Sequence, residues 1–583
     1  MDEYIALKFE QDINIALCGE AGSGIELASK VLMQILKDNG YNIFCSHEYM
    51  SRIRGGCNAS YVRISDDEVS APNYKIDVFF ALDDCVFEDF KERISNNTLI
   101  FYNKNSPQIK KIISDIENGN YDGITSLKTM IPIDFTDLSK SVGAFRLNSI
   151  VVVGIILGIL GVNLDNSASL MYKFINDDDK ILKNLQSLKN GYEEGILLKM
   201  NNRVHFSVKK NEFNKNKMLL TGNDALALGC LKAGCNFVSN YPMTPGTGLY
   251  SFMDKNAGHF PVVTVQPEDE IAVINMAIGA WYAGARAMVS TSGGGFSLMA
   301  EGISLAGMIE SPIVVHVAQR PGPATGLPTR TEQGDLDSVL CSGSGEFPRI
   351  IIAPSTPESA FKLAQKAFDF ADMFQVPVFI LTDQFFIDSD FVTKEFSVSK
   401  DYFHNHFVQS EKSYERYSVK SPISPRTIPS YGDGLVCVDS DEHNSGGVIC
   451  ENPQNRRVMV NKRLDKFLVI NKNLINVNIS GPENYKTLVI TWGSAYVTVK
   501  EALSSFPKAA LINIEQLYPL NQELKKYIDK AENLIIVENN ATSQLGRLLE
   551  EEFHCFFNYR ILQYNGLPFF VDELKTRLER IIC

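Results

Sequence analysis

The chain alternates short apolar runs with stretches of helical periodicity. Residues 12–18 predict a buried strand, the turn Gly19–Gly24 follows, and Ile25–Lys37 has the apolar spacing of an amphipathic helix. Further apolar runs predict strands at Tyr61–Ile64, Val78–Leu82 and Leu99–Tyr102. This alternation indicates an α/β domain over residues 1–206.

A polar, lysine-rich linker at 207–218 separates this domain from a second one at 219–395. The second domain alternates helical segments with predicted strands at Val262–Val265, Ala287–Ser290, Ile313–Ala318, Ile350–Ala353 and Pro377–Leu381. Such alternation is typical of a mostly parallel sheet. The turn-rich segment 396–483 is interpreted as an extended connection that reaches toward a partner. A third α/β unit, 484–583, begins with the strand Thr487–Thr491.

Composition narrows the possible partners. The 583 residues carry a formal net charge of −13 at pH 7, which argues against nucleic acid and anionic membranes. The most apolar segment, Ile150–Val162, is shorter than the roughly 20 residues that span a bilayer. We therefore expect a buried helix there, with glycines that allow close packing. The N-terminal Met-Asp-Glu-Tyr shows no apolar targeting core, and we expect a cytoplasmic protein.

Eleven cysteines are scattered along the chain, and no two have the Cys-x-x-Cys spacing of iron–sulfur or zinc sites. Several lie within apolar runs. We therefore expect buried free thiols in a reducing compartment and no metal ligands in this chain.

Three loops that follow apolar runs collect the polar chemistry: Tyr241–Thr247, Glu268–Glu270 and Gln319–Gln333. The carboxyl ends of parallel strands meet at one sheet edge, where α/β proteins bind ligands. A carboxylate cluster, one arginine and several hydroxyls can do little chemistry alone. The pattern therefore indicates a cofactor and a partner chain.

Glu270 and Arg320 are the strongest candidates. The helix dipole favours a carboxylate at a helix start, but Glu270 leads an apolar helix, where a carboxylate is usually paired. Arg320 precedes a loop of prolines and glycines and suits a substrate carboxylate. The alternative for Arg320 is a structural ion pair with Glu332 or Asp335.

Other motifs carry less weight. The Gly19–Gly24 turn fits a phosphate contact at a helix N-terminus and an unliganded turn equally well. The two arginines of Ser51–Cys57 suit an anion or a partner's carboxylates. Gly432–Gly434 looks like the start of a motif that holds Mg²⁺ on thiamine diphosphate. We reject that match because the only Asn pair in range, Asn539-Asn540, is far too distant.

Together these motifs resemble the alpha subunit of 2-oxoacid:ferredoxin oxidoreductases with a gamma domain fused in front. The resemblance covers nearly the whole chain, through the glycine turn, Ser51–Asn58, Tyr241–Thr247, Glu268–Ala280, Thr291–Gly302, Gln319–Leu336, Asn461–Arg463, Trp492–Ser494 and Glu538–Asn540. It implies a gamma-type domain at 1–206, a pyrimidine domain of the thiamine-diphosphate fold at 219–395 and a transketolase C-terminal-like domain at 484–583.

The resemblance also implies the reaction. Such enzymes oxidatively decarboxylate a 2-oxoacid with coenzyme A, giving acyl-CoA, CO2 and reduced ferredoxin. Thiamine diphosphate is shared with a beta subunit, on which Mg²⁺ and a [4Fe-4S] cluster are expected, so the alpha chain is active only in that complex. This division agrees with the missing cysteine motif and the rejected match at Gly432–Gly434.

Position by position, Glu270 matches the glutamate that activates the cofactor through its pyrimidine N1′. Arg320 matches the arginine that faces the substrate carboxylate. Thr244 matches a hydroxyl near the 2-oxoacid, and Tyr241 opens the same cofactor-binding turn. The implied catalytic residues are therefore Glu270, Arg320 and Thr244.

Substrate choice rests on the following loop. Thr329 matches a threonine implicated in substrate fit, and Arg330 suits a distal carboxylate, which favours 2-oxoglutarate. Four positions near the pocket depart from the usual family pattern: Met243, Gly246, Gly294 and Ala324. These departures leave the reaction class intact. The alternatives are pyruvate or a branched or aromatic 2-oxoacid and, in another class, a non-catalytic assembly or ligand-binding subunit.

Overall fold

The computed structural model describes residues 7–51, 56–83, 86–118, 127–140, 147–397 and 406–582. Contacts between residues divide the chain into two compact units. Unit 1 comprises Met1–Leu220, Asp388–Glu395 and Phe570–Thr576, and unit 2 comprises Thr221–Ile387, Phe396–Phe569 and Arg577–Cys583. Two short segments from late in the chain thus group with the first unit.

Unit 1 is built on a mixed sheet. Its strands are β1 (Leu7–Glu10), β2 (Asp12–Glu20), β3 (Asn42–Glu48), β4 (Cys57–Ser65), β5 (Val78–Ala81), β6 (Leu99–Asn103), β7 (Met130–Ile133), β8 (Val204–Ser207), β9 (Met218–Thr221) and β16 (Asp390–Thr393). Eight of them form one sheet in the order β7-β6-β5-β2-β4-β3-β16-β9, and β1 pairs with β8. The four strands predicted from apolar runs in this region are confirmed.

The helices of unit 1 are α1 (Ile25–Asp38), α2 (Val86–Phe90), α3 (Pro107–Glu117), α4 (Phe135–Lys140), α5 (Asn148–Leu160), α6 (Ser167–Phe174) and α7 (Asp178–Met200). The predicted linker 207–218 contains the short 3₁₀ helix Glu212–Asn216 and the first residue of β9. A second 3₁₀ helix spans Leu127–Thr129.

Helices α5 and α7 touch backbone to backbone through glycines on both. A Cβ on Gly158 would collide with the carbonyl oxygen of Tyr192, and one on Gly191 would collide with that of Val151. Every residue of α5 from Ser149 to Ile159 is buried, and all of them except Ser149 are apolar. The predicted buried helix at Ile150–Val162 is therefore confirmed, and its glycines set the helix separation.

A polar cluster lies inside unit 1 between β3 and β16. His47 Nδ1 lies 2.8 Å from Ser60 Oγ, and His47 Nε2 lies 3.0 Å from an Asp390 carboxylate oxygen. Burial acts to lower the pKa of His47, but Cys45 and Asp390 together raise it well above its usual value. The charged imidazole is thus favoured in the folded protein.

The cysteine prediction is only partly correct. Cys18, Cys45, Cys230 and Cys235 are buried free thiols. Cys57 is disulfide-bonded, so the prediction of free thiols was wrong for this residue. Spacing along the chain does not reveal which cysteines the fold brings together.

Unit 2 contains two sheets. The first is built from β10 (Phe237–Ser239), β11 (Val263–Val265), β12 (Ala287–Thr291), β13 (Ile313–Gln319), β14 (Ile350–Ile352), β15 (Pro377–Asp383) and β20 (Gln516–Tyr518). Its order is β11-β10-β12-β13-β15-β14-β20, parallel except for β20. The mostly parallel sheet predicted for this region is confirmed.

The second sheet of unit 2 is built from β17 (Asn478–Ser480), β18 (Thr487–Thr491), β19 (Ala509–Asn513), β21 (Asn533–Glu538) and β22 (Tyr559–Leu562). Its order is β17-β19-β18-β21-β22, and only β17 is antiparallel to its neighbour. The strand predicted at Thr487–Thr491 is therefore confirmed, and this sheet belongs to unit 2.

The remaining helices are α8 (Gly222–Lys232), α9 (Thr247–Asn256), α10 (Glu270–Tyr282), α11 (Gly293–Leu298), α12 (Ala300–Met308), α13 (Leu336–Leu340), α14 (Pro357–Phe374), α15 (Gln384–Asp388), α16 (Pro453–Leu464), α17 (Lys466–Ile470), α18 (Ala495–Leu503), α19 (Leu524–Ile528), α20 (Gln544–Phe553) and α21 (Val571–Ile582). Within the described ranges, every helix is too short or too polar to cross a bilayer.

The connecting segment 396–483 is anchored to unit 2 by a buried ionic cluster. Glu310 is only 1% exposed, and its carboxylate accepts from Lys462 Nζ at 2.8 Å and from Lys466 Nζ at 2.7 Å. Arg416 Nη2 donates to the Glu310 carbonyl oxygen at 2.7 Å. Burial lowers the pKa of Lys466 to about 7, although Glu310 opposes this effect. Arg416, Lys462 and Lys466 therefore hold the segment against Glu310.

Candidate active site

Four loops meet at the carboxyl edge of four neighbouring parallel strands. Strands β11, β10, β12 and β13 lie side by side in that order. The turn Tyr241–Thr247 follows β10, Glu270 follows β11, Gly293–Gly295 follows β12 and Arg320 follows β13. The structure thus brings the predicted loops to one sheet edge. The glycines at the start of α11, Gly293–Gly295, lie at the same edge.

Glu270 is the first residue of α10 and is almost fully buried. Asp269 caps this helix, its carboxylate accepting from the Ala272 N–H at 2.7 Å. Glu270 itself is 3% exposed, and its Oε1 has no hydrogen-bond partner in the part of the chain that the structure describes. A buried oxygen without a donor is costly. The position is therefore suited to a ligand that supplies an N–H or O–H group.

The space in front of Glu270 is kept open by a glycine. A Cβ on Gly295 would lie 2.6 Å from Glu270 Oε1 and would collide with Thr291 Oγ1. Any other residue at 295 would displace the carboxylate. Glycine is thus required at position 295 by a close contact.

Arg320 lies beside the Tyr241–Thr247 turn. It is 8% exposed, its Nη1 donates to the Thr244 carbonyl oxygen at 2.5 Å, and its Nε has no partner among the described residues. Burial lowers the pKa of Arg320, while Asp335 opposes that effect. The Thr244 side chain is exposed and Tyr241 is half-buried. Arg320 is therefore held by the Thr244 backbone, while the edge of its guanidinium that carries Nε makes no hydrogen bond with the described residues.

Two carboxylates that the sequence considered only as ion-pair partners also lie here. Neither Glu332 nor Asp335 forms an ion pair within 4.0 Å of Arg320 among the described residues, so that alternative was wrong. Burial raises the pKa of Glu332 to about 7, and Asp335 adds to the shift. Burial likewise raises the pKa of Asp335 to about 6, against the effect of Arg320.

Unpartnered polar atoms are concentrated at this edge. Besides Glu270 Oε1 and Arg320 Nε, the buried atoms without partners include both amide atoms of Asn240, Ser292 Oγ and Asp335 Oδ2. Native proteins leave few such groups unsatisfied, and clusters of them need an explanation. The arrangement fits a polar ligand. Asn240 and Ser292 were missed by the sequence reasoning, because nothing in their spacing signals burial without a partner, and Asp335 was considered only as an ion-pair partner of Arg320.

The loop that carries Arg320 is fastened to the second sheet of unit 2. Gln333 donates through Nε2 to the Trp492 carbonyl oxygen at 2.9 Å and accepts through Oε1 from the Asn539 N–H at 2.9 Å. Asn540 Nδ2 donates to the Gln333 carbonyl oxygen at 3.2 Å. The pair Asn539-Asn540 therefore braces the loop, in agreement with its rejection as a diphosphate motif.

A buried carboxylate holds that brace in place. Glu538 is fully buried and accepts from Trp492 Nε1, Asn540 Nδ2, Ser543 Oγ and two backbone N–H groups at 2.9–3.1 Å. A carboxylate with this many donors is stable in the interior. Trp492 and Glu538, which belong to motifs that resemble the family, thus stabilise the loop of Arg320 through Gln333 and Asn540.

The two proposed specificity residues lie farther along the same loop. Thr329 and Arg330 are half-buried, and the Arg330 N–H donates to the Leu327 carbonyl oxygen at 3.1 Å. The Arg330 side chain lies against Gly566, at which a Cβ would be 3.2 Å from Arg330 Cβ. Their roles toward a substrate stay predictions.

The glycine turn of unit 1 is occupied by a carboxylate. Asp83 Oδ2 accepts from the Glu20 N–H at 2.6 Å and would lie 2.7 Å from a Cβ on Gly19. An anion there would meet a resident negative charge, which favours the unliganded turn. Arg52 and Arg54 of the second ambiguous motif lie outside the described residues.

Comparisons with known proteins fit this geometry. Residues 14–194 match the family described as "Pyruvate ferredoxin/flavodoxin oxidoreductase", and residues 228–462 match "Pyruvate flavodoxin/ferredoxin oxidoreductase, thiamine diP-bdg". A 2-oxoacid:ferredoxin oxidoreductase subunit alpha from Sulfolobus sp is 31% identical over 97% of this chain and 96% of its own length. The chain belongs to the family of 2-oxoacid:ferredoxin oxidoreductase alpha subunits. It is thus an oxidoreductase subunit with a thiamine-diphosphate-binding domain.

Other alpha-subunit relatives agree. One from Sulfurisphaera tokodaii is 30% identical over 97% of both chains. The 2-oxoglutarate synthase subunit KorA of Methanothermobacter thermautotrophicus is 31% identical over 57% of this chain and 89% of its own. The solved 2-oxoglutarate:ferredoxin oxidoreductase from Magnetococcus marinus, with 2-oxoglutarate, coenzyme A and succinyl-CoA bound, matches with a TM-score of 0.88 and 25% identity, covering 99% of this chain and 100% of that one. The alpha-subunit fold therefore extends over the whole length.

Proposed function

We propose that this alpha subunit supplies the aminopyrimidine side of a thiamine-diphosphate site. The observation that carries the proposal is the buried carboxylate of Glu270. Its Oε1 has no hydrogen-bond partner among the described residues and lies next to Gly295. Such an oxygen suits a protonated ring nitrogen. The cofactor, when bound, supplies the carbanion that attacks the 2-oxoacid carbonyl. The part played by Glu270 is to hold a proton at the pyrimidine N1′ and so promote formation of that carbanion.

Arg320 and Thr244 bind and orient the substrate in this proposal. The edge of the Arg320 guanidinium that carries Nε binds the 2-oxoacid carboxylate, since arginine binds carboxylates in a bidentate fashion. The Thr244 carbonyl fixes the guanidinium, and its exposed hydroxyl contacts the substrate. Tyr241 lines the cofactor side of the same turn. Orientation of the reacting carboxylate is the contribution of this group to rate.

We propose 2-oxoglutarate as the substrate. Two observations support this preference: the relatives named 2-oxoglutarate synthase subunit, and the Magnetococcus marinus enzyme with 2-oxoglutarate bound. Thr329 and Arg330 then fit the distal part of the substrate, with Arg330 on its second carboxylate. Pyruvate and branched or aromatic 2-oxoacids are the competing substrates.

The rest of the reaction belongs to partners. A beta subunit holds the diphosphate, Mg²⁺ and a [4Fe-4S] cluster, ferredoxin accepts the electrons and coenzyme A accepts the acyl group. Helix α10, which begins at Glu270, presents exposed apolar side chains at Ile271 and Met276. Exposed apolar groups beside a site are typical of an interface, and we propose that the beta subunit covers them. The domain limits 1–206, 219–395 and 484–583 form part of this proposal.

Reconstitution with the beta subunit tests these roles. Glu270→Gln keeps the size of the side chain and removes its charge, so 2-oxoacid oxidation is expected to fall about 100-fold or more. Glu268→Gln, at an exposed position in the same turn, serves as the matched control with near wild-type activity. Equal activity of the two variants would remove Glu270 from the mechanism.

A substrate panel tests the preference separately. The complex is expected to oxidise 2-oxoglutarate with a higher kcat/KM than pyruvate or branched 2-oxoacids. Arg330→Met is expected to lower kcat/KM for 2-oxoglutarate by about 10-fold or more and to leave pyruvate unaffected, because only 2-oxoglutarate has a distal carboxylate. Faster turnover of pyruvate by the wild-type complex would end the preference for 2-oxoglutarate.

A further inference from the structure

Asp335 occupies a position from which an aspartate normally caps a helix, but its side chain does not do so. It precedes α13 and makes no side-chain capping bond. Its backbone N–H donates instead to Gln319 Oε1 at 3.0 Å, and Gln319 Nε2 is held by the Thr382 carbonyl oxygen at 3.1 Å. The main chain at Asp335 is therefore fixed by Gln319 at the end of β13, and its carboxylate is not used to cap α13.

That carboxylate lies against the glycine loop after β12. A Cβ on Gly293 would be 2.6 Å from Asp335 Oδ2 and would collide with Oδ1. Gly293 and Gly295 thus leave room for two different carboxylates, those of Asp335 and Glu270. Asp335 Oδ2 is buried and has no hydrogen-bond partner within the described ranges. Helix α11 therefore packs closely against both carboxylates, Asp335 at Gly293 and Glu270 at Gly295.

Asp335 and Arg320 affect one another without touching. The positive charge of Arg320 opposes the rise in the pKa of Asp335 that burial causes, and Asp335 in turn supports the charge of Arg320. No hydrogen bond joins them, since Arg320 Nε and Asp335 Oδ2 both lack partners among the residues that the structure describes. Both groups are thus available to a ligand in the pocket.

We propose that Asp335 is a positioning residue that acts through Arg320 as its resident counter-charge. The inference rests on the proposed function, in which Arg320 receives the substrate carboxylate. An ionised Asp335 then repels that carboxylate and competes with it for Arg320. When the carboxylate leaves as CO2, the bonding electron pair stays on the former carbonyl carbon and the repulsion at this position ends. Asp335 thereby disfavours the bound substrate more than the state that follows decarboxylation.

This arrangement has a kinetic consequence that a merely structural role lacks. Asp335→Asn keeps the shape of the side chain and removes its charge. The KM for the 2-oxoacid is expected to fall about 10-fold at pH 7, because the charge of Arg320 is no longer shared. The value of kcat is expected to fall with it, which is the pattern that follows when ground-state strain is removed.

The pH dependence of KM provides a second readout. As pH rises through about 6, the pKa of Asp335, the wild-type residue becomes ionised and KM is expected to increase. Arg320 and Glu332 are the charged groups coupled to Asp335, and Glu332, with a pKa of about 7, also titrates in this range. Glu332→Gln is therefore measured alongside. The increase near pH 6 is expected to persist in Glu332→Gln and to be absent from Asp335→Asn.

The experiment uses the reconstituted alpha–beta complex with 2-oxoglutarate and with pyruvate. The matched control is Asp337→Asn, on the same helix, where Asp337 pairs with Arg547 at the surface; its KM is expected to be unchanged. An unchanged or increased KM in Asp335→Asn, together with a wild-type pH profile, would overturn the inference. If Asp335→Asn does not assemble, Asp335→Glu keeps the charge and is expected to retain the rise of KM with pH; a flat profile in that variant would count against the proposal.

A second variant tests the role of Arg320 separately from that of Asp335. Arg320→Met is expected to raise KM for both substrates by about 10-fold or more. If Arg320→Met leaves KM unchanged, the role of Arg320 in the proposed function has failed. If Arg320→Met raises KM and Asp335→Asn has no effect, only the inference on Asp335 has failed.

Discussion

The carboxylate of Glu270 occupies the space that a side chain at residue 295 would need. Glu270 Oε1 would be 2.6 Å from a Cβ on Gly295, and this close contact joins the loop after β11 to the loop after β12. The contact explains both a buried acid and the glycine beside it. It also makes Gly295 a residue on which the position of Glu270 depends.

Gly295→Ala is expected to lower the activity of the reconstituted complex about 100-fold, because the methyl group displaces Glu270 from its position. Gly294→Ala is the control, since a Cβ there meets only the Ala324 carbonyl oxygen, at 3.7 Å. Steady-state oxidation rates and thermal melting of both variants make the comparison. Equal activities would show that the contact does not position the acid.

Gly158→Ala is expected to destabilise unit 1 by about 1–3 kcal/mol or more, because the added methyl group meets the Tyr192 carbonyl oxygen on α7. Denaturant unfolding of the chain measures the loss. Gly279→Ala in α10 is the control, because nothing lies within 4 Å of a Cβ there and alanine favours a helix. A loss in Gly158→Ala no larger than in the control would contradict the close packing of α5 and α7.

Glu310→Gln is expected to cost about 3–5 kcal/mol, because it leaves the buried Lys462 and Lys466 without their shared counter-charge. The loss is expected to be greater at pH 6 than at pH 8, since Lys466, with a pKa of about 7, can become neutral at the higher pH. Urea unfolding at both pH values tests this. Asp529→Asn, which breaks the exposed pair with Lys525, is expected to cost less than about 1 kcal/mol.

Unit 1 is expected to lose stability as pH rises above neutrality through the buried His47–Asp390 pair. The folded pKa of His47 lies well above its unfolded value of about 6.5. Its contribution is therefore fully present below the unfolded pKa and disappears as pH rises through the folded pKa. Unfolding free energies from pH 6 to pH 9 measure this dependence.

His47→Gln is expected to lose the part of the pH dependence that His47 provides. His205→Gln, at an exposed position in the same unit, is expected to keep the full wild-type dependence. Identical slopes in the two variants would show that His47 does not titrate in the way its contacts indicate.

The sequence alone determined the α/β class, four strands of unit 1, six strands of unit 2 and the three loops of the site. Apolar runs of strand length, such as Ile313–Ala318 and Thr487–Thr491, are buried on both faces of a parallel sheet, so hydrophobicity marks them directly. Glu270 and Arg320 were found because each follows such a run. Strands β3 and β16 were missed because polar residues interrupt their apolar runs, and β7 was missed because it is short and contains Pro132.

Only the tertiary structure decided which polar groups meet. It placed Asp335 against Gly293, left Arg320 without the ion pair considered for it and put Asp83 into the glycine turn. It also fastened the segment 396–483 through Glu310. These outcomes depend on partners far apart in the chain, whose distances are set by sheet order and helix packing. The pattern of apolar and polar residues indicates which face of an element is buried. It does not indicate which residues from distant parts of the chain contact that face.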